Sequence, residues 1–194
     1  MSVRKTVNQP ASPLAFFYPA EGQSPRLLLL TGPRGAGKTS WCQELSKIAL
    51  SAGIDVGGLL SPAIFSDGRK VAIDLHDLVG GERRRLAVRR HDRTFRELVT
   101  GDWMFEPDTF NWGNQVLQRI KSCDLLLIDE IGPLEFHQQK GLTNAFRLIS
   151  SQSYRLACLT IRPTLLVAAK TLWPEATTVD IARDSGVNPK TKKP

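Results

Sequence analysis

The interpretation of this 194-residue sequence depends first on one stretch, Gly32-Pro33-Arg34-Gly35-Ala36-Gly37-Lys38-Thr39. It matches the pattern G-x-x-x-x-G-K-[ST] in full, directly after the apolar run 26–31 and directly before a helical pattern over residues 38–52. Glycines let such a loop point successive backbone N–H groups inward, and the following helix adds its positive N-terminal end. The stretch therefore predicts a strand–loop–helix unit that holds a polyphosphate.

The loop and the residue after it are assigned to nucleotide binding: Gly32, Pro33, Arg34, Gly35, Ala36, Gly37, Lys38, Thr39 and Ser40. Lys38 brings a positive charge to the outer phosphates and is also assigned a catalytic role, while the Thr39 hydroxyl is predicted to bind Mg²⁺. The glycines are spaced G-x-x-G-x-G, whereas dinucleotide sites use G-x-G-x-x-G. This spacing excludes an enzyme that uses a nicotinamide or flavin dinucleotide.

A second buried apolar run, residues 125–128, ends in Asp129 and Glu130. Mg²⁺ requires a hard oxygen ligand near the phosphate loop, so Asp129 is predicted to hold the metal together with Thr39. Glu130 is placed to orient or deprotonate a water molecule that attacks the γ-phosphorus. The acidic pair therefore favours hydrolysis of a nucleoside triphosphate over phosphate transfer to an acceptor.

Two polar residues lie at the end of a third apolar run, residues 156–161, which we predict to neighbour the Asp129 strand. Thr160 could hold the attacking water, and Arg162 is assigned a catalytic role in neutralising γ-phosphate charge. The alternative for Arg162 is an ordinary surface arginine before Pro163. Arg34 could equally contact a phosphate or face solvent.

The strand and helix patterns alternate along the chain, which predicts an α/β protein with three layers. We expect a mainly parallel sheet with helices on both faces and a small inserted antiparallel meander at about residues 58–90. One continuous helix is predicted over residues 138–150. Residues 1–24 are expected to be a flexible lead-in, residues 25–181 the domain, and residues 182–194 a basic tail.

The net charge of +7 is concentrated in the segment 82–96, which holds seven arginines and two acidic residues. This segment could be a nucleic-acid footprint, an arginine lid over phosphates, or a solvated strand edge. Nucleic acid is not favoured as a partner because no aromatic residue lies among these arginines before Phe95. The segment also precedes Asp129, whereas the arginine lid of nucleotide kinases follows the metal-binding acid, and this order counts against a kinase.

The remaining composition bears on cellular location. The apolar runs are too short to span a bilayer, so no membrane association is expected. Prolines interrupt the apolar patch near the N-terminus, which argues against a signal sequence. The three cysteines are widely separated and lack a C-x-x-C pair. These features favour a reducing cytoplasm.

The acidic motif continues in an unusual way, as Asp129-Glu-Ile-Gly-Pro-Leu-Glu135. With the phosphate loop, it resembles the small P-loop nucleoside-triphosphatase family typified by the cancer-related nucleoside-triphosphatase. Gly57-Gly58, Gly68-Arg69 and the strand pattern 71–78 are similar to a hairpin that this family inserts after its second strand. The resemblance covers about residues 26–181.

The resemblance implies a three-layer P-loop fold and Mg²⁺-dependent hydrolysis of ATP, GTP and other nucleoside triphosphates to diphosphate and phosphate. It also implies little base preference and slow turnover. It places nucleotide binding on the loop from Gly32 to Thr39, and metal and water on Asp129 and Glu130. Two alternatives stay open: a nucleotide or small-molecule kinase, and a non-catalytic nucleotide-binding switch.

Overall fold

The computed structural model describes residues 26–89 and 98–181, in which ten strands and five α-helices are found. The predicted lead-in, residues 1–24, and the predicted basic tail, residues 182–194, lie outside the described residues. The strands are β1 (Arg26–Thr31), β2 (Val56–Leu60), β3 (Ala63–Ser66), β4 (Arg69–Asp77), β5 (Arg83–Arg89), β6 (Leu98–Thr100), β7 (Trp103–Phe105), β8 (Cys123–Ile131), β9 (Tyr154–Ile161) and β10 (Thr177–Asp180). The helices are α1 (Lys38–Ser51), α2 (Pro107–Arg119), α3 (Pro133–Gln138), α4 (Asn144–Ser151) and α5 (Leu166–Leu172). Within these two ranges, no helix is long and apolar enough to cross a membrane.

All of the strands belong to one mixed sheet, in which nine follow the order β10-β1-β9-β8-β2-β4-β5-β7-β6 and β3 pairs with β4. The five strands from β10 to β2 run parallel to one another. The remaining strands pair antiparallel and continue the same sheet. The predicted α/β class with an antiparallel insertion is confirmed. The antiparallel part is larger than predicted, because it continues past residue 90 through β6 and β7.

Alternating strand residues supply two separate buried cores on the two faces of the sheet. Leu28 and Leu30 belong to the same buried cluster as Leu45 of α1. Leu29, between them, belongs to the cluster that contains Leu117 of α2, and α4 also contributes to that cluster. Because successive strand side chains point to opposite faces, this division places α1 on one face and α2 and α4 on the other. The predicted three-layer arrangement is therefore confirmed.

The close pairing of β2 with β8 depends on Gly58. This residue has φ +120°, and a Cβ atom built on it would lie 1.8 Å from the Leu127 carbonyl oxygen. Leu59 pairs with Ile128 of β8, and Ile128 pairs with Leu159 of β9. The carboxyl ends of these three strands therefore meet at one edge of the sheet, next to the loop that follows β1.

The predicted single helix over residues 138–150 is wrong, because the chain forms α3 and α4 with a break between them. Gln139, which ends α3, and Gly141 both have left-handed backbones, with φ +54° and +78°. A Cβ atom at Gly141 would lie 2.0 Å from Glu135 Oε1. The buried Glu135 carboxylate accepts hydrogen bonds from the N–H groups of Gly132 and Leu142. These contacts hold the chain in a turn where the apolar spacing alone favours a helix.

Candidate functional site

The phosphate loop lies between β1 and α1, as predicted. Gly35 and Gly37 have φ +81° and +91°, and no atom lies within 4 Å of a Cβ built on either. The first turn of α1 has no side-chain cap and no acidic residue. The N–H groups at this helix end are therefore open to an anion, and the helix dipole favours negative charge there.

Lys38, the first residue of α1, has its side chain folded back along the loop. Its Nζ donates hydrogen bonds to the carbonyl oxygens of Gly32 at 2.8 Å and Pro33 at 3.0 Å. These contacts hold the ammonium group at the loop. The loop thus combines open N–H donors with a positive charge, which is the chemistry that polyphosphate recognition requires.

Asp129 is the buried centre of the site and is only 1% exposed. Its Oδ2 accepts a hydrogen bond from the Ser61 N–H at 3.1 Å, and its Oδ1 accepts one from the Thr160 hydroxyl at 2.8 Å. The Thr39 hydroxyl is close enough to this carboxylate to lower its pKa. Asp129 therefore joins the ends of β2, β8 and β9 to the first turn of α1.

The electrostatics of Asp129 suit a neighbouring cation. Burial raises the pKa of this carboxyl, and the charge of Glu130 raises it further, whereas the hydrogen bonds from Thr160, Thr39 and Ser61 lower it. The contact between Thr39 and Asp129 places two hard oxygen donors together. Mg²⁺ binds through one or two such donors plus phosphate oxygens and water, so these residues fit that ion. In the two described ranges, no cluster of three or more His, Cys, Asp or Glu residues that could hold a metal ion occurs. Mg²⁺ does not require such a cluster, because phosphate oxygens and water supply its other ligands.

Glu130 occupies a strained position at the end of β8. Its φ is +65°, which costs energy for any residue other than glycine. The Glu130 N–H donates to the Thr160 hydroxyl at 2.5 Å. Thr160 thus bonds both to the Asp129 carboxylate and to the Glu130 backbone. This bond supports the strained backbone and directs the Glu130 side chain away from the core, where it is 40% exposed.

Arg162 lies beside Glu130, since β8 and β9 are neighbours as the sequence predicts. Its Nε and Nη2 both donate to Glu130 Oε1, at 3.1 Å and 2.5 Å, so the ion pair uses one oxygen of the carboxylate. Arg34 and Ser40 are exposed at the loop and in the first turn of α1. The structure thus brings together the predicted metal, water and phosphate residues, and the catalytic roles of Lys38, Glu130 and Arg162 stay predictions.

The arginine-rich segment is described only in part, because Arg90, Arg93 and Arg96 lie outside the described residues. Three of the four arginines on β5 have local partners: Arg84 pairs with Glu82, Arg85 with Asp74 and Arg89 with Asp102. The Arg84 guanidinium also lies over the Trp112 ring, 4.7 Å from its centroid. These side chains are engaged on the antiparallel part of the sheet, two or more strands away from β8.

Ser61 is a site residue that the sequence patterns did not identify. It directly follows β2, and besides its N–H bond to Asp129 Oδ2 its hydroxyl donates to the Asp129 carbonyl oxygen at 3.1 Å. A polar residue at the end of a buried strand was the signal that identified Asp129 and Thr160. Ser61 gives the same signal, because it directly follows the buried strand β2.

The chain is similar to several known proteins. A family model described as NTPase matches residues 27–180. Nucleoside-triphosphatase THEP1 of Methanopyrus kandleri is 29% identical over 116 residues, which cover 57% of this chain and 60% of that protein. The protein of the same name from Ignicoccus hospitalis is 33% identical over 123 residues, with 63% and 68% covered. The chain thus spans 60% of the first relative's length.

A solved structure is similar over a larger part of the chain. The solution structure of a human cancer-related nucleoside triphosphatase aligns with a TM-score of 0.61 and 23% identity, covering 80% of this chain and 88% of that one. At this identity the similarity establishes the fold alone. The expected P-loop architecture is therefore confirmed independently of the loop sequence.

Proposed function

Since the chain belongs to the NTPase family, whose model matches residues 27–180, we propose that it hydrolyses nucleoside triphosphates, including ATP and GTP, to diphosphate and phosphate with Mg²⁺. One observation carries this proposal: the buried Asp129 carboxylate lies beside Thr39 of the loop, while Glu130 follows it at the same strand end and is partly exposed. A candidate metal-binding acid and a candidate base thus lie next to one phosphate loop, as the hydrolysis of a nucleoside triphosphate requires.

Phosphate binding would rest on the loop and on α1. The open N–H groups of the loop and helix end would surround the β- and γ-phosphates, and Lys38 would add its charge. Thr39 and Asp129 would hold Mg²⁺. Bound Mg²⁺ would neutralise charge on the phosphate oxygens during bond cleavage.

Glu130 would act on the attacking water. Its carboxylate is partly exposed and anchored through its own backbone to Thr160, so it can accept a proton from a water molecule placed before the γ-phosphorus. The ion pair with Arg162 fixes the direction of this carboxylate. From its position beside Glu130, the Arg162 guanidinium would donate to a γ-phosphate oxygen, which is its proposed catalytic role.

A cytoplasmic location fits the cysteines. Cys42, Cys123 and Cys158 are all free thiols, and Cys42 and Cys158 are buried. Free thiols persist in reducing compartments, so we include the cytoplasm in the proposal. Fractionation of the source cells would test it, and recovery from an oxidising compartment would contradict it.

The function is tested by incubating the full chain with ATP, GTP, CTP or UTP, with Mg²⁺ or with EDTA, and by measuring phosphate and diphosphate. The proposal predicts release of both products from several triphosphates, with Mg²⁺ only. Consumption that requires a nucleoside monophosphate and phosphorylates it would indicate a kinase instead. Binding of intact triphosphate over hours, without product, would indicate a nucleotide-binding switch.

A further inference from the structure

We propose that Lys70 is a further catalytic residue, which contacts the γ-phosphate of the bound triphosphate from the inserted hairpin of β3 and β4. This inference rests on the proposed function, because it assigns a role within the same reaction. Lys70 lies far from the phosphate loop in sequence, and no sequence motif marks it.

The path of the chain brings the hairpin to the site. After β2 the Ser61 N–H bonds to Asp129, and the Pro62 carbonyl oxygen accepts from the Asp74 N–H at 3.0 Å. The hairpin therefore starts directly at the metal-binding acid. Lys70 lies opposite Phe65 on it, next to an irregularity in the β3–β4 pairing. Such bulges bend a strand and redirect its side chains, and they occur often beside active sites.

The immediate surroundings of the Lys70 ammonium lack an oxygen acceptor. The side chain is half-buried, and its Nζ lies 5.0 Å from the centroid of the Trp103 ring. None of the described residues accepts a hydrogen bond from Nζ or pairs with it as a carboxylate. The indole face attracts the positive charge, but it provides no oxygen lone pair for the three N–H donors. The ammonium is thus held in place with its donors available to an anion.

The charges that act on Lys70 belong to the phosphate site. Burial lowers the pKa of this ammonium, the Glu130 and Asp129 carboxylates raise it, and the Arg34 and Arg162 guanidinium groups lower it. These four residues come from the phosphate loop and from the ends of β8 and β9. Lys70 therefore lies within electrostatic range of the acidic pair and of the phosphate loop, where the proposed triphosphate would bind.

The local charge balance also favours an anion. Four cationic side chains, those of Arg34, Lys38, Lys70 and Arg162, share this region with the two carboxylates of Asp129 and Glu130. A triphosphate brings several negative charges to such a positive cleft, and charge that develops during cleavage is stabilised by donors already in place.

The chemical step assigns Lys70 an electrostatic role. The water oxygen forms a bond to the γ-phosphorus and gives a proton to the Glu130 carboxylate. The bond from the γ-phosphorus to the β–γ bridging oxygen breaks, and its electron pair leaves with the diphosphate. Lys70 remains protonated throughout and donates hydrogen bonds to γ-phosphate oxygens. Its positive charge thereby stabilises the negative charge on these oxygens in the transition state.

The test compares Lys70→Met, which removes the charge but keeps an apolar chain on Trp103, with Lys70→Arg, which keeps the charge. The control is Lys47→Met on α1, where the lysine side chain is 75% exposed and pairs only with Glu44 at 3.8 Å. We expect kcat for Mg²⁺–ATP to fall about 10- to 100-fold in Lys70→Met. Lys70→Arg should stay within about fivefold of the wild type, and Lys47→Met should be unchanged.

Three further measurements separate the outcomes. Thermal unfolding should be unchanged in Lys70→Met, and if that variant is unfolded, Lys70→Gln replaces it. If the wild type hydrolyses ATP and Lys70→Met retains its kcat, the role of Lys70 is refuted while the proposed function stands. If the wild type is inert, the proposed function fails. The role of Lys70 is then judged by the ratio of the affinity for a non-hydrolysable nucleoside triphosphate to the affinity for the diphosphate. A ratio about tenfold lower in Lys70→Met than in the wild type supports the role of Lys70. Equal ratios in the two proteins refute this role.

Discussion

Thr160 offers the sharpest test of how the site is held together. Its side chain is buried near the end of β9, and its hydroxyl makes two hydrogen bonds, accepting from the Glu130 N–H at 2.5 Å and donating to Asp129 Oδ1 at 2.8 Å. Thr160→Val keeps the branched shape and removes both bonds. The change should therefore weaken the fold and release the strained Glu130 backbone.

The magnitude follows from the two lost bonds. A hydrogen bond to a charged carboxylate contributes about 1.5–3 kcal/mol, and an unsatisfied N–H costs about 1–3 kcal/mol when it is buried. The added methyl group recovers about 0.8 kcal/mol. Since the Glu130 N–H is only partly buried, we expect the free energy of unfolding to fall by about 2–4 kcal/mol.

The assay is urea unfolding followed by tryptophan fluorescence, with Thr31→Val as the matched control. Thr31 is also buried, but its hydroxyl has no hydrogen-bond partner among the residues that the structure describes. Its replacement should change the free energy of unfolding by less than about 0.5 kcal/mol, or increase it. Phosphate release by Thr160→Val should fall more than about tenfold, because Glu130 loses its backbone anchor. Equal stability and equal turnover in the two variants would refute the reasoning.

Two other predictions concern packing and the thiols. Gly58→Ala should lower the free energy of unfolding by more than about 3 kcal/mol, because its Cβ would meet the Leu127 carbonyl oxygen. The control Gly101→Ala, which has open space at φ +61°, should lower it by about 1 kcal/mol in the same urea denaturation assay. Equal losses in the two variants would contradict the close β2–β8 contact. Burial raises the pKa of the Cys123 thiol to about 11. Iodoacetamide at pH 8 should therefore alkylate this thiol more than about a hundredfold more slowly in the native protein than in guanidinium chloride. Mass spectrometry follows the alkylation, and equal rates in the two conditions would contradict the burial of Cys123.

Much of the site could be predicted because local patterns specify it. The phosphate loop has a complete motif between a buried strand and a helix, and the structure places it there. Asp129 and Thr160 were identified by one rule, that polar residues at the carboxyl ends of buried strands meet at one edge of a parallel sheet. To apply this rule, only the positions of the strand ends have to be known, and the end of an apolar run in the sequence indicates them well.

The other features depend on contacts between distant residues. The break between α3 and α4 arises because the backbone at Gly141 closely approaches the buried Glu135 carboxylate. The helical spacing of apolar residues in the sequence does not reveal that contact. Lys70 reaches the site through a bulged pairing, whose register the sequence alternation does not reveal. The strands β6 and β7 are only three residues long, too short for a periodic pattern to identify them.

The central claim is that Glu130 acts on water while the loop, Thr39 and Asp129 hold the nucleotide and metal. The most direct measurement compares the wild type with Glu130→Gln for Mg²⁺–ATP, recording both the rate of phosphate release and the affinity for ATP. The account predicts that the rate falls by about 10²–10⁴ while the affinity stays within about threefold. An unchanged rate of phosphate release in Glu130→Gln, whatever its affinity, would contradict it.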